Sequence, residues 1–368
     1  MVLHDVMFHE GDETQHLLVR NGIIESVSSD RGTLNKETCK RLEFDGAIFL
    51  PGFVNSHDHL DFNCYPQLGN RIYSNYTGWG PDIQSTHAAT IKEVQSIPLA
   101  LRIQWGLYKN LFNGFTTVVN HGAKLDIPDK LIDVIQECSS LHSPAFEKNW
   151  KWKLNNPFNR KGPVIMHMGE GTDKAASDEI DEVIHANKTW RKIVAVHGVA
   201  MKEEQAEKLA GLVWCPASNY FLLNKTAPVD KLKKKTTVVF GTDSTLTAAW
   251  NCREHFQLAM KDNMITEKEL LAMLAGKPAG LWKIKEAGTK ANLLVVKKNT
   301  SIFNLGPEDI LLVMQNGQIR LIDEMIGYKP EGFTRVHLND TIKYVQGDPA
   351  GLAKDIKQFY PELLTPFG

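Results

Sequence analysis

This sequence has little cysteine and no pattern to it. Its five cysteines, Cys39, Cys64, Cys138, Cys215 and Cys252, are odd in number, scattered, and never spaced C-x-x-C. That excludes a disulfide framework and points to a reducing compartment. Net charge is also lacking: 42 Lys and Arg face 43 Asp and Glu, leaving −1. No electrostatic case exists for nucleic acid or an anionic membrane as partner. The one basic cluster, Lys233-Lys234-Lys235, reads as a solvated helix end. No run of roughly 18 apolar residues occurs. The opening Met-Val-Leu-His-Asp has no basic stretch followed by an apolar one, so neither a signal peptide nor a membrane span is expected. What remains is a cytoplasmic globular protein with a small-molecule partner, compatible with a homo-oligomer. At 368 residues the chain can hold one barrel of about 250 residues and a smaller domain.

What is present divides the chain in two. The ends echo each other: Leu17-Leu18-Val19-Arg20-Asn21-Gly22-Ile23-Ile24 resembles Leu311-Leu312-Val313-Met314-Gln315-Asn316-Gly317-Gln318-Ile319. Asn-Gly between apolar runs supplies the two positive-φ residues of a type I′ hairpin. With Ala291 to Val296 these runs predict one composite β-sandwich domain, residues 1–50 plus 287–368. The middle, 51–286, alternates short apolar strands with helical segments. Strands are expected at Thr116 to Asn120, Ser139 to Ala145, Val164 to His167, Ile193 to His197, Gly211 to Cys215 and Thr237 to Gly241. Helices are expected at Ile91 to Phe112, Ile127 to Cys138, Asp178 to Asn187, Lys202 to Leu209 and Arg253 to Asp262. Thr266 with Glu269 three residues on reads as a capping box. This alternation predicts an α/β fold, a (β/α)8 TIM-like barrel ahead of an open sheet. Only about 44 residues separate Asn120 from Val164, so the barrel is abbreviated between its second and fifth strands.

The chemistry sits at the strand ends, where such a barrel builds its active site. The run Ile48 to His59 is apolar and ends in His57-Asp58-His59. Side chains two apart on a strand share a face, so both imidazoles project together. Chance alone gives roughly 0.5 such pairs in a chain with this many histidines, so the pair needs company. His167 follows Val164-Ile165-Met166, His197 follows Ile193 to Val196, and Asp243 follows Val238 to Thr242. His57, His59, His167 and Asp243 make a three-nitrogen, one-oxygen set suited to one divalent metal, Zn²⁺ ahead of Fe²⁺. Glu170, three residues past His167, belongs at the barrel mouth as a proton carrier. His197 reads as a polariser of water and substrate, with a fifth ligand as the alternative.

Taken together these elements resemble the amidohydrolase superfamily, in its cytosine deaminase and chlorohydrolase-type branch. The residues that carry the resemblance are Pro51 to His59, His167-x-x-Glu170-Gly171, His197-Gly198, Cys215-Pro216-Ala217-Ser218-Asn219 and Gly241-Thr242-Asp243-Ser244. Leu270 to Leu274 with Lys277-Pro278-Ala279 resembles the family's helix after the barrel. The resemblance implies a single metal held by His57, His59, His167 and Asp243, with Glu170 as proton shuttle and His197 touching substrate or water. No strand-end lysine stands out as a bridge between two metals, which fits one ion.

The loop after the first strand, Leu60 to Trp79, is expected to roof the pocket. Its Asn63, Gln67 and Trp79 join Asn120, His121 and Asn219 as candidate substrate contacts. Aromatic rings with amides suit a flat, hydrogen-bonding heterocycle. The expected reaction is hydrolysis at an sp² carbon of a small nitrogen heterocycle, with Glu170, His197 and Asp243 catalytic and ammonia released. Opening of a cyclic amide, as an imidazolonepropionase-like enzyme would do, is the alternative. A catalytically silent scaffold is the reading from another class, and the complete ligand set speaks against it.

Overall fold

The computed structural model describes residues 1–367 except 10, 12, 35–38, 128–130, 159–161 and 285–289. The expected domain boundary at 286/287 lies outside the described residues. Strands β1 (Val2–Phe8), β2 (Thr14–Arg20), β3 (Ile23–Ser28) and β4 (Arg41–Pro51) open the chain. Eight strands follow: β5 (Phe53–Asp58), β6 (Phe115–Asn120), β7 (Asp133–Ile135), β8 (Ser139–Leu141), β9 (Val164–Met168), β10 (Ile193–His197), β11 (Gly211–Trp214) and β12 (Val238–Phe240). The chain closes with β13 (Leu293–Val296), β14 (Ile310–Gln315), β15 (Gln318–Asp323), β16 (Phe333–Leu338) and β17 (Thr341–Gln346).

The terminal strands form one continuous nine-stranded sheet in the order β16-β17-β15-β14-β13-β4-β1-β2-β3. The two chain ends join where β4 pairs antiparallel with β13, Pro51 opposite Leu293. Both Asn-Gly pairs are turns with positive φ at each residue: 52° and 80° at Asn21 and Gly22, 51° and 73° at Asn316 and Gly317. The turns also touch. A Cβ on Gly317 would lie 2.7 Å from the Gly22 Cα, so no larger residue fits there without displacing the other hairpin. Ala291 ties them, donating its N–H to Gly22 O and accepting from the Gly317 N–H.

The central strands make two parallel sheets, β5-β6-β7 and β8-β9-β10-β11-β12, in chain order. β5, β6, β9, β10, β11 and β12 are buried along their whole length, as parallel strands covered on both faces must be. The last strand returns to the first. The Asp243 N–H donates to His57 O at 3.0 Å. Gly241 permits this approach, since a Cβ there would meet His57 Cβ at 2.8 Å.

The sector between β6 and β9 differs from expectation. Asp133–Ile135, expected inside a helix from Ile127 to Cys138, is strand β7, with Val134 opposite Val118. The segment Ile132 to Ile135 is rich in β-branched residues, and the free edge of β6 offers it a ladder, which outweighs its helical spacing. β7 and β8 are three residues each, so two short strands occupy the place where one was expected. The expected helix Ile91 to Phe112 is also divided, into Ala88–Ser96 and Leu99–Phe112. Pro98 causes the break: Ile97 before it is extended, φ −64° and ψ 128°, as a residue preceding proline prefers. The capping box of Thr266 and Glu269 is present, with the Glu269 N–H donating to Thr266 Oγ1 and the Thr266 N–H to Glu269 Oε2. Beyond residue 325, β16, β17 and the helix Pro349–Lys357 extend the sheet and pack on the central unit, where Phe367 stacks on Phe112.

Candidate metal centre

Six histidines gather at the C-terminal ends of the parallel strands. His57 lies within β5 and His59 just past it; His121 follows β6, His142 follows β8, His167 lies in β9 and His197 ends β10. Two backbone kinks help to present this cluster and its acid. His197 and Asp243 have φ of 72° and 58°, conformations that cost a non-glycine residue free energy and recur at functional sites.

His57 is the hub. Its Nε2 is 3.2 Å from His167 Nε2 and 3.7 Å from Asp243 Oδ1, and Asp243 Oδ1 is 4.0 Å from His59 Nε2. The ligand atoms of His57, His59 and Asp243 lie within 4.8 Å of one another, as do those of His57, His167 and His197. Burial, and after it the neighbouring imidazoles, hold His57 and His167 well below the usual histidine range. Both rings are therefore held neutral, and each has one nitrogen lone pair to offer a metal. Two nitrogens of a tetrahedral zinc site are separated by about 3.3 Å, given bonds of about 2.0–2.1 Å. The donor set and its spacing fit one divalent ion.

Asp243 is built to stay charged. Burial alone would raise its carboxyl, but His197, His59, the Ser244 N–H and Ser218 outweigh that and hold it below the usual range. The Ser218 and Thr247 hydroxyls donate to its Oδ2 at 2.9 and 3.0 Å, and the Ser244 N–H to its Oδ1 at 2.7 Å. Glu170 has the opposite setting. It is buried, and burial followed by Asp243 and Glu179 pushes its carboxyl well above the usual range. Its Oε1 lies 3.7 Å from His197 Nε2. The loop holding it is pinned on two sides. The Tyr76 N–H donates to Glu170 O and the Thr172 N–H to Ser74 O. Glu179 accepts the Gly169 N–H at 2.7 Å and the Tyr76 hydroxyl at 2.9 Å. Burial raises the Glu179 carboxyl to about 7.

The expected substrate contacts fall into different places. Asn219 accepts from His197 Nδ1 at 2.9 Å, while its own amide donates to Thr226. It thereby fixes the proton on Nδ1 and leaves the Nε2 lone pair facing the cluster. Asn63 donates to Asp58 and His59 O and accepts the Thr245 N–H, joining the loops after β5 and β12. Asn120 accepts the Leu60 N–H and donates to Ala123 O. The Trp79 indole N–H donates to Leu68 O. Gln67 is exposed and lines a separate cavity of about 350 Å³ with Tyr65, Trp250 and Tyr360. Of the six, His121 lies against the cluster itself, stacked on His167 at 4.3 Å.

Two participants were not foreseen. His142 stands edge-on to His167, with ring centroids 5.2 Å apart. Its signal was a histidine directly after the strand Ser139-Ser140-Leu141, which is only three residues long and has a single apolar residue. Lys109 lies beneath the cluster, 2% exposed, and its position inside the run Trp105 to Phe112 is the trace it leaves in the sequence.

No protein-family model and no functionally described protein matches this sequence. Solved structures do match its fold. An adenosine deaminase from Xanthomonas campestris with bound zinc aligns over 98% of this chain and 99% of its own, at a TM-score of 0.69 and 15% identity. Helicobacter pylori aminofutalosine deaminase with methylthio-coformycin aligns over 86% and 99%, at 0.67 and 13%. Atrazine chlorohydrolase from Arthrobacter aurescens with zinc aligns over 86% and 94%, at 0.64 and 15%. The chain shares the fold of these proteins, mixed α/β with parallel strands. Among the described residues no helix is long and apolar enough to cross a membrane.

Proposed function

We propose that this chain is a metal-dependent hydrolase that attacks an sp² carbon of a small nitrogen heterocycle and releases ammonia. The observation that carries the reading is that His57 belongs to two triads of close ligand atoms, one with His59 and Asp243 and one with His167 and His197, with the buried acid Glu170 beside His197. The reading of the fold that goes with it is a ring closed by β12 against β5, supported by the Asp243–His57 backbone bond. The composite sheet of both termini is then a second domain beside the ring.

A bound Zn²⁺ would supply Lewis acidity, lowering the pKa of a water it holds toward about 7. His57, His59, His167 and Asp243 would hold it. Glu170 takes a proton from the attacking water and returns one to the departing nitrogen, a task that suits a buried carboxyl held above its ordinary range. His197, with Nδ1–H fixed on Asn219, points its Nε2 lone pair at the same space. It accepts a hydrogen bond from water or substrate there, or takes a place in the coordination set. Three fold relatives whose names give adenosine, aminofutalosine and atrazine as the molecules acted on, two of them with zinc, support this chemistry.

Ammonia release from a panel of aminated purines, pyrimidines, triazines and pterins tests it, with product masses read in parallel. Replacement of an amine by a hydroxyl is the expected result. A product that gains a water without releasing ammonia would mark ring opening instead. A zinc-loaded chain that turns over no member by either route would overturn the proposal.

A further inference from the structure

The reaction assigned above uses none of the residues under the cluster, yet they include a buried ion pair. Lys109 comes from the helix Leu99–Phe112 and Asp58 stands between His57 and His59; their side chains are 2% and 0% exposed, with Nζ 3.2 Å from Asp58 Oδ2. The ammonium has three donors, and all three are spent. Besides Asp58 it reaches Thr242 Oγ1 at 3.1 Å and the Asp243 carbonyl oxygen at 2.7 Å. Three amides surround the pair: Asn110, Asn63 and Asn55 all donate to Asp58, and Asn55 also donates to Thr242 Oγ1 at 2.7 Å.

We infer that Lys109 is a positioning residue of the metal centre, a clamp that sets Asp243 against His57 and His59 by holding the end of β12 to the end of β5. The inference rests on the metal reading above. Two features give the clamp its meaning. β5 and β12 are the outermost strands of two different sheets, so the geometry between their ligands is not set by a long ladder. Asp243 also takes a left-handed φ of 58°, and Lys109 grips the carbonyl of that very residue. Of the three bonds, one goes to Asp58 at the end of β5 and two go to Thr242 and Asp243 just past β12, so the ammonium bridges the two strand ends. With the clamp released, Asp243 relaxes toward negative φ and its carboxylate swings off the point that His57 and His59 share.

The experiment compares wild type, Lys109→Met and Thr242→Val. Zinc affinity is measured by chelator competition, the visible absorption of the Co²⁺-loaded protein reports ligand geometry, and thermal unfolding is followed in the metal-free state. Zinc affinity is expected to fall about tenfold or more in Lys109→Met, the scale for losing a group that orients a ligand. The Co²⁺ bands should shift in position and intensity. Thr242→Val, which removes the hydroxyl that accepts from Lys109 and Asn55 and donates to the Asp243 carbonyl while leaving the Lys109 bond to that carbonyl, should shift them in the same direction by less. Should Lys109→Met fail to fold, Thr242→Val decides. Wild-type zinc affinity and Co²⁺ bands in every variant that folds, with only the unfolding temperature lowered, would overturn the clamp. A wild-type chain that takes up neither ion would sink the metal reading instead.

Discussion

Replacing Glu179 by Gln should make the metal-free protein more stable above neutrality. Burial raises the Glu179 carboxyl from its ordinary 4.5 to about 7. The folded chain therefore holds this proton more tightly than the unfolded chain does. Between those two values the native state binds more protons than the unfolded state, so stability falls as pH rises through the window. Below about pH 4.5 the group costs nothing; above about pH 7 the whole cost is present. Going from 4.5 to about 7, at about 1.36 kcal/mol for each tenfold change in proton affinity, comes to about 3 kcal/mol. Gln keeps an acceptor for the Gly169 N–H and can donate to the Tyr76 oxygen, so the loop holding Glu170 stays tied. With roughly 2.1 cal/mol/K of unfolding entropy per residue, 3 kcal/mol is a gain of about 4 °C in Tm for this chain. Thermal unfolding of chelator-treated wild type and Glu179→Gln from pH 4.5 to 8 reads it. The two curves should meet at the acid end and separate as pH rises. Parallel curves would mean that Glu179 ionises at an ordinary pKa and that its burial carries no such penalty.

Glu170→Gln should keep its metal, because Glu170 belongs to neither group of ligand atoms, while kcat falls about 10²-fold or more, the scale for a lost general acid–base group. Near-normal turnover with metal retained would move the proton-carrying role to another side chain, His197 first. His57→Ala and Asp243→Ala should lose metal affinity and activity together, read by metal content after dialysis against a weak chelator. Retained stoichiometric zinc in either would remove that residue from the set. Zinc added to the metal-free chain at 100 times its Kd should raise stability by about 2.7 kcal/mol, close to 3.5 °C here, and an unmoved Tm would mean no native-state site.

Much of this site can be read in the sequence because its strands are buried on both faces. A run such as Ile193-Val194-Ala195-Val196 is short, apolar and β-branched, and the first polar residue after it marks the strand end. The residues between such runs were harder to read. Asn219 carries the same amide as a substrate contact would, and only its distance to His197 shows that it orients an imidazole. Lys109 looks like an ordinary surface lysine until Leu99–Phe112 is seen to bury both faces of its last two turns. β7 was lost because a three-residue strand is shorter than any reliable period, and the edge of β6 fixes its state more than its own residues do.

The joint between β4 and β13 has a consequence in time. Pro51 and Leu293 face each other across it, 242 residues apart. At a synthesis rate of roughly 5–20 residues per second, β4 emerges roughly 12–50 s before its partner exists. During that interval an eleven-residue strand with buried positions such as Leu42, Phe44 and Leu50 has β1 on one side and nothing on the other. An unpaired edge of that length is the kind that recruits other chains. The parallel strands 53 to 240 can pair as they appear, but the sheet that joins both ends is finished only after most of the chain has been made. Expression at lower temperature or with added chaperone should therefore raise soluble yield more for the full chain than for a variant in which the two Asn-Gly hairpins are fused into one contiguous segment.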